Sequence, residues 1–411
     1  MSEFTDYQDL LKIYYNGQMV QDLTNTDNPG LAMLARKKLA GQSMPLPVIE
    51  TYGQGVSAVF STAKTNQTNG NPDKFNLTAS TLYQVVNIDR LTWKSSLGSN
   101  ASFLDYMKYK IDGGLQGVGN ALSMYWYGDG SGVIAQASGA PSTGVITLAD
   151  ADTVTRFEVG QVLQAATTLS AGVVSSIEPD KGIVLAVDYA AGVITVATTS
   201  APTVAGTPAS WIGVSGLYLL LDGTANAVAA GLDGWIPLTA PTLGSTFKGV
   251  SRGVDPSRLA GSRYDGSTSG APADEVLMTT SSILGRMGQK PDAGWLSTDV
   301  YLQLQKISQG RVVYIETNIG GIGFEGIRVN GAKGPIAIYQ DRNIPSQRGW
   351  LVTTKHVGLY SVGPAPELQV DDFGRLLRDA DSDGYQAVIS GYYDFGVDAP
   401  VSCAAMKFAA S

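Results

Sequence analysis

Apolar residues recur at three- and four-residue steps through Phe103, Met107, Ile111, Leu115, Val118, Leu122 and Tyr125, which predicts the longest helix of the chain. Ser102 and Asp105 open it with capping-box spacing, and Gly128 supplies a stop. Gly113, Gly114, Gly117 and Gly119 interrupt it. Each mid-helix glycine costs about 1 kcal/mol against alanine, so a bend or a close approach to another backbone is expected. Upstream, Val48 to Ala63 and Thr81 to Leu97 are rich in Val, Ile, Thr, Tyr and Phe and predict two long strands. The polar run from Thr65 to Lys74 reads as the tip between them. A two-stranded ribbon alone is marginal in water, so this hairpin is expected to lie on a partner surface. Ahead of it, Asp6 to Tyr15 and Pro29 to Leu39 predict short helices, punctuated by Gly17, Gly30 and Gly41. They read as an arm lying on something else.

The pattern changes near Gly130. From Ser131 to Ser215 there are eight charged residues and no Met, and the remainder is mostly Val, Thr, Ala, Ser and Gly. Short strands recur at Val145–Thr147, Val162–Ala165, Ile183–Val187 and Val193–Val196, and Gly-Val-Ile-Thr occurs at 144 and again at 192. Closely spaced strands with glycine between them predict a small all-β barrel or sandwich inserted into the chain, ending near Asp233-Gly234-Trp235.

Residues 236–272 read as loop-rich, with Lys248, Arg252, Arg258 and Arg263 in one stretch. Asp274 is expected to cap a helix to about Met287, and Ser297 to open another to about Ile307. Strands follow at Val312–Glu316, Gly326–Val329, Pro335–Tyr339, Trp350–Thr354 and Val357–Val362. The last, Tyr385–Tyr393 and Ala399–Lys407, are expected to return beside the long helix. The fold class is α+β.

Composition narrows the chemistry. The 411 residues include one Cys and one His, which excludes an internal disulfide and a Cys/His zinc site. The net charge of -8 is not the footprint of a protein that grips nucleic acid by its phosphates. No apolar run approaches the ~18 residues of a membrane span, and the first residues lack a signal-peptide pattern. The expected setting is soluble and reducing.

Each candidate for chemistry meets a structural alternative. Gly321 to Gly326 matches G-x-G-x-x-G, but strand and turn residues follow where a dinucleotide site needs a helix, so a glycine-rich hairpin is expected. Asp379 to Gly384 copies half of a calcium loop, yet the twelfth position is Ser390 rather than Glu; a plain turn is expected. His356 sits in an expected strand with no nucleophile elbow nearby, and Cys403 reads as a small buried hydrophobe. The sequons at Asn66, Asn76 and Asn100 carry no weight without a secretory signal. Neither an enzyme nor a bound cofactor or metal is expected.

The order of arm, hairpin, long helix, β insert and α+β layer resembles the major capsid protein of tailed bacteriophages, the Hong Kong 97 type shell fold. Local strings are similar to one branch of that family: Phe247-Lys248-Gly249-Val250 with Arg252, Asp255 to Gly261, Gly334-Pro335-Ile336 leading to Asp341-Arg342-Asn343-Ile344-Pro345, and Leu359 to Gly363. Phe157 to Val162 and Gly231 to Pro237 in the insert are similar too. The resemblance implies an N-terminal arm at 1–45, an extended loop (E-loop) at 46–97, and the spine helix of a peripheral (P) domain at 98–130. It further implies an inserted β domain at 131–235, a connection at 236–274, an axial (A) domain at 275–365 and a return to the P-domain at 366–411.

The implied function is a structural shell protein that self-assembles into hexamers and pentamers around double-stranded DNA, without sequence-specific contact to it. The implied location is a virion capsid, made in the host bacterial cytoplasm. Scaffold, portal and decoration proteins are further partners that the resemblance admits; a membrane is not. Lys64, Lys74, Arg252, Arg258 and Arg263 are the candidates for contacts between subunits. Some family members join subunits by isopeptide bonds from an E-loop lysine to an asparagine. Lys64 and Lys74 are available, but no motif identifies the asparagine or a catalytic glutamate, and no crosslink is expected. The first rival reading is a carbohydrate- or surface-binding β-rich virion or secreted protein. The second is an enzyme using the loop at Gly321.

Overall fold

The computed structural model describes residue 24 and residues 28–96, 106–307, 313–319, 322–369, 376–379 and 383–410. The expected helix at Asp6–Tyr15 and the cap at Ser102 and Asp105 lie outside the described residues. The arm departs from its expected helix. A single turn, α1 (Pro29–Ala32), gives way to strand β1 (Ala35–Lys38). Two hairpin strands follow, β2 (Ser43–Thr51) and β3 (Asn71–Thr78), paired from Ser43↔Thr78 to Thr51↔Asn71 around a short helix α2 (Phe60–Thr65).

This corrects the expected hairpin. The returning strand is Asn71–Thr78, so Lys74 lies in a strand and the tip is residues 52–70. Strand β4 (Ser80–Asp89) leaves the hairpin, and α3 (Arg90–Ser96) and the long helix α4 (Tyr106–Trp126) follow. On α4, Met107, Ile111, Leu115, Val118, Leu122 and Tyr125 are all buried, as the stripe requires. Its glycines divide by face. A β-carbon at Gly119 would fall 2.6 Å from the carbonyl oxygen of Thr24, and one at Gly114 would fall 2.8 Å from Val86. Gly113 and Gly117 face open space.

Residues 133–221 form one antiparallel sheet. Its strands are β5 (Val133–Gln136), β6 (Val145–Thr147), β7 (Val162–Ser170), β8 (Val173–Asp188), β9 (Val193–Thr198) and β10 (Tyr218–Leu221). The order is β5-β10-β7-β8-β9-β6, and a bridge between Ala137 and Leu148 joins the two ends. The sheet is therefore a closed six-stranded barrel. The two Gly-Val-Ile-Thr strings are partners: Val145↔Thr195, Ile146↔Ile194 and Thr147↔Val193. Both preceding glycines have positive φ, at 80° for Gly144 and 65° for Gly192, and both isoleucines point into the core. Each copy is thus a left-handed turn feeding a half-buried strand.

The chain leaves the barrel through α5 (Leu232–Trp235), the short pair β11 (Thr246–Phe247) and β12 (Val250–Ser251), α6 (Pro256–Leu259) and β13 (Ser262–Asp265). Helix α7 (Ala273–Arg286), strand β14 (Ala293–Leu296) and helix α8 (Thr298–Ile307) come next. Pro272, not Asp274, occupies the cap of α7, and Asp274 lies in its first turn. The remaining strands are β15 (Val313–Ile319), β16 (Ile322–Gly331), β17 (Gly334–Gln340), β18 (Arg348–Val352), β19 (Val357–Ser361), β20 (Glu367–Gln369), β21 (Leu377–Arg378), β22 (Gly384–Val397) and β23 (Ala404–Lys407).

They build two sheets. The first has the order β1-β19-β22-β20, with β21 and β4 also on β22, and α4 packs on it. The second has the order β13-β23-β18-β14-β17-β16-β15 and is covered by α7 and α8. Two expectations are corrected here. Strand β19 leaves the α+β layer to join the first sheet, parallel to the arm strand β1. The last strand, β23, does not return beside the long helix; it pairs with β13 and β18. In each case the strand's apolar pattern was right and its partner lay far away in sequence.

Candidate functional site

The hairpin is fixed at its root. Phe75 is fully buried and meets Trp235 edge-on, with ring centres 5.0 Å apart, and the Trp235 indole N–H donates to the carbonyl of Phe395 at 3.0 Å. Beside them, Lys248 Nζ lies 2.6 Å from the wholly buried Asp394, whose Oδ2 also accepts the Thr78 N–H at 3.0 Å. Burial raises the Asp394 pKa, and the Lys248 charge opposes that rise. The Lys248 carbonyl accepts the N–H of Asn76 at 2.8 Å. Sequence reasoning grouped Lys248 with the surface cations and missed its buried partner, 146 residues away.

The candidate contact residues separate into three kinds. Arg252 is 7% exposed and donates to the carbonyls of Gly234 and Trp235 at 2.8 and 2.9 Å, stacked 4.0 Å over Phe247. Burial lowers its pKa to about 10, with Arg263 adding to the effect. Arg263 donates to the carbonyls of Pro256, Ala260 and Gly261, holding the end of α6. Within the subunit both act as struts, because unmet carbonyls in a loop-rich segment draw guanidinium donors inward. Arg258 is half-buried, lies 4.7 Å over the ring of Tyr52 and reaches the Glu50 carbonyl at 3.4 Å, so it braces the hairpin from outside. Lys64 and Lys74 are exposed. From Tyr52 to Gly70 the tip has one charged residue, Lys64, and four exposed large apolar ones: Tyr52, Val56, Val59 and Phe60.

A second constellation was not read from sequence, although its string was noted. Asp341 is buried where the arm, the long helix and the β17–β18 loop meet. Its Oδ2 accepts the Tyr127 hydroxyl at 2.9 Å and the Gly30 N–H at 3.3 Å, and its Oδ1 accepts the Asn343 N–H at 2.9 Å. Burial pushes its pKa up to about 6, against the pull of those donors. The Asn343 amide donates to Asn28 at 3.1 Å and to Ser123 at 3.0 Å. Its carbonyl accepts Arg156 of the barrel at 2.5 Å, and Arg156 also donates to the Ile134 carbonyl at 2.6 Å. Ser346 donates its N–H to the barrel's Asp150 at 2.8 Å. The arm and the barrel are thus seated on one loop. A buried Asp two residues before an Asn was the available signal, because Asp-x-Asn folds readily into a side-chain-capped turn.

The candidates for chemistry resolve structurally. Gly323 and Gly326 lie in β16, antiparallel to β15, and no helix follows; Gly321 is outside the described residues. Residues 380–382 of the calcium-like string are also outside them, while the Asp379 N–H donates to the Gly384 carbonyl at 3.1 Å, closing a hairpin. His356 sits in a 3-10 turn rather than a strand, with Nδ1 2.6 Å from Asp398, which also takes Lys37 Nζ at 3.2 Å. Among the described residues no hydroxyl or thiol bonds that ring. Cys403 is buried, and burial pushes its thiol to about 11, far from a reactive thiolate.

No protein-family model and no curated protein sequence matches the chain. Solved structures do. A chain of the cyanophage A-1(L) capsid asymmetric unit matches at 12% identity with a TM-score of 0.52, over 94% of each chain. The capsid of a native GTA particle matches at 8% identity and TM-score 0.44, covering 95% of this chain and 91% of that one. Mycobacterium phage Ogopogo gives 9% and 0.43, covering 94% and 91%. The cyanophage match spans nearly the whole chain, and the chain has the fold of that phage capsid chain.

Proposed function

We propose that this chain is the major structural protein of a tailed-phage shell, assembling with copies of itself into hexamers and pentamers that enclose double-stranded DNA. The observation that carries the reading is a shell-protein fold across nearly the whole chain together with a hairpin whose tip leaves its large apolar residues in solvent. An ordered segment that exposes Val56 fully and Phe60 at 84% makes sense when a neighbour covers it. In this reading residues 1–45 are the arm, 46–97 the E-loop and 98–130 the spine helix; the A-domain, 275–365 by resemblance, gives up β19 to the first sheet, and within 366–411 it is β22 and not β23 that returns beside the spine helix. Residues 131–235 are an inserted β domain. The Gly128 carbonyl accepts the Gly231 N–H at 3.1 Å, so chain entry and exit lie side by side, as insertion requires.

The contact candidates are Lys64, Lys74 and Arg258, with Arg263 half-buried and Arg252 buried within the subunit. The role is structural rather than catalytic. The acidic balance suits a container that does not hold phosphate tightly, with scaffold, portal and decoration proteins as further partners. Electron microscopy of the expressed chain tests this: closed shells or capsomer rings are expected. Discrete monomers at high concentration, with and without a scaffold protein, overturn it.

A further inference from the structure

Two lysine–aspartate pairs of equal length sit in opposite surroundings. Lys181 Nζ lies 2.6 Å from Asp222, with the two side chains 42% and 34% exposed. Lys248 Nζ lies 2.6 Å from Asp394 Oδ2, with the side chains 15% and 0% exposed. The first is an ion pair in water. The second lies against aromatic rings: Lys248 Nζ is 5.9 Å from the ring centre of Trp235, which packs edge-on against both Phe75 and Phe247.

As an ion pair the buried one is poorly met. Asp394 Oδ1 is buried without a hydrogen-bond partner, so half of the carboxylate is left uncompensated. The lysine is also oddly placed. Lys248 and Gly249 form the two-residue turn between the paired Phe247 and Val250. Lys248 has φ 48°, a conformation that such turns usually give to Asn, Asp or Gly. The strained turn aims its amine at one carboxyl in an apolar setting. Desolvation is what activates a lysine amine as a nucleophile, and fixed proximity is what a slow condensation needs.

We propose that Lys248 and Asp394 condense within the folded subunit to an isopeptide bond between Nζ and Cγ. The inference goes beyond the shell reading and holds for a single chain. Burial raises the Asp394 pKa, so its carboxyl takes a proton from the ammonium beside it. The freed Nζ lone pair then adds to Cγ. A second proton passes from Nζ to Oδ2, the Cγ–Oδ2 bond breaks, and Oδ2 leaves as water. Nζ keeps its third hydrogen as the amide N–H. Two buried charges disappear, and no oxidant or further reactant enters. The bond ties the β11–β12 turn to β22 at the root of the hairpin, where the Thr78 N–H meets the same carboxyl at 3.0 Å.

Intact-mass spectrometry of the folded chain, denatured only for the measurement, tests this. The chain should weigh one water less than its sequence. Trypsin should fail to cut after Lys248, and one branched peptide should join the Lys248 turn to the part of β22 that holds Asp394. Lys181 and Asp222 should appear in separate linear peptides, as an internal control at the same distance. Lys248→Arg keeps the cation without the nucleophilic amine; it should fold by circular dichroism and show its full sequence mass. Asp394→Ala should also show full mass. Full mass in folded wild-type subunits overturns the bond, as does a water loss that survives in Lys248→Arg, which a succinimide at an Asp-Gly step would leave.

Discussion

The barrel and the hairpin handle the same problem in opposite ways. Both are built from β-rich sequence with few charges, and both are made of strands whose edges must be paired or covered. The barrel closes on itself through the Ala137–Leu148 bridge and packs Ile146, Leu163, Val184, Ile194 and Val196 inside. It can therefore carry a surface poor in charge without exposing an edge. The hairpin stays open. Its buried residues, Leu46, Phe75 and Leu77, lie toward its root, and beyond Thr51 the chain has no core of its own. What stabilises the barrel is internal; what orders the hairpin is its anchorage at one end and, in the proposed shell, a neighbour along the rest.

The largest effect should come from cutting that anchorage. Lys248→Met leaves Asp394 buried without its cation, and breaking a buried pair from one side costs about 3–5 kcal/mol. Urea unfolding of dissociated subunits should show this loss, together with faster hydrogen exchange in residues 43–78. A small change in both would mean that the aromatic cluster holds the root without the pair.

A cavity in the barrel should destabilise differently. Ile194→Ala removes a fully buried side chain from the closed core and should cost about 3 kcal/mol. Because the barrel closes its own hydrogen bonds, the exchange rates of hairpin amides should stay unchanged. Spread of the effect to residues 43–78 would show that barrel and hairpin unfold as one cooperative unit.

The junction that joins arm, helix and barrel should respond to pH. Asp341 holds its proton to about pH 6 in the folded chain, above the ~3.9 of an unfolded aspartate. The folded state therefore binds more protons between these values. The stability contributed is fully present below about pH 4 and lost as pH rises through about 6, a change of about 2–3 kcal/mol. Asp341→Asn should remove that slope from a plot of midpoint against pH. Parallel curves for the two proteins would place the titration elsewhere, for instance at Asp394 or Asp233, whose pKa values burial also raises.

Much of this was legible as elements and little as partnerships. The stripe from Met107 to Tyr125, the two helices near 273 and 298, and the Gly-Val-Ile-Thr strands carry local periodicity, and a few residues suffice to state it. Strand β4 was legible as a strand but not as a member of the first sheet, because its partners, residues 384–393, lie some three hundred residues away. Alternation tells which face is buried and says nothing of the neighbouring strand. The carbonyl partners of Arg252 and Arg263 were hidden for a related reason. Arginine is usually exposed, and only the folded loop presents the carbonyls that turn these two inward.

The smallest effect bears on the open face of α4. Gly117 lies mid-helix on α4, and a β-carbon there meets no atom within 4 Å. Gly117→Ala should therefore stabilise the isolated subunit by about 1 kcal/mol, the helix-propensity difference with nothing set against it. Gly119, two residues on, has the same propensity to gain and should lose instead. Its β-carbon would fall 2.6 Å from the Thr24 carbonyl oxygen, so the arm would have to move. The pair separates two reasons for glycine on one helix: room for the chain's own arm, and room for something the subunit does not supply. If Gly117→Ala stabilises the free subunit yet weakens assembly, the open helix face serves a neighbour. If it stabilises both equally, the glycine has no part in assembly and the face is merely bare.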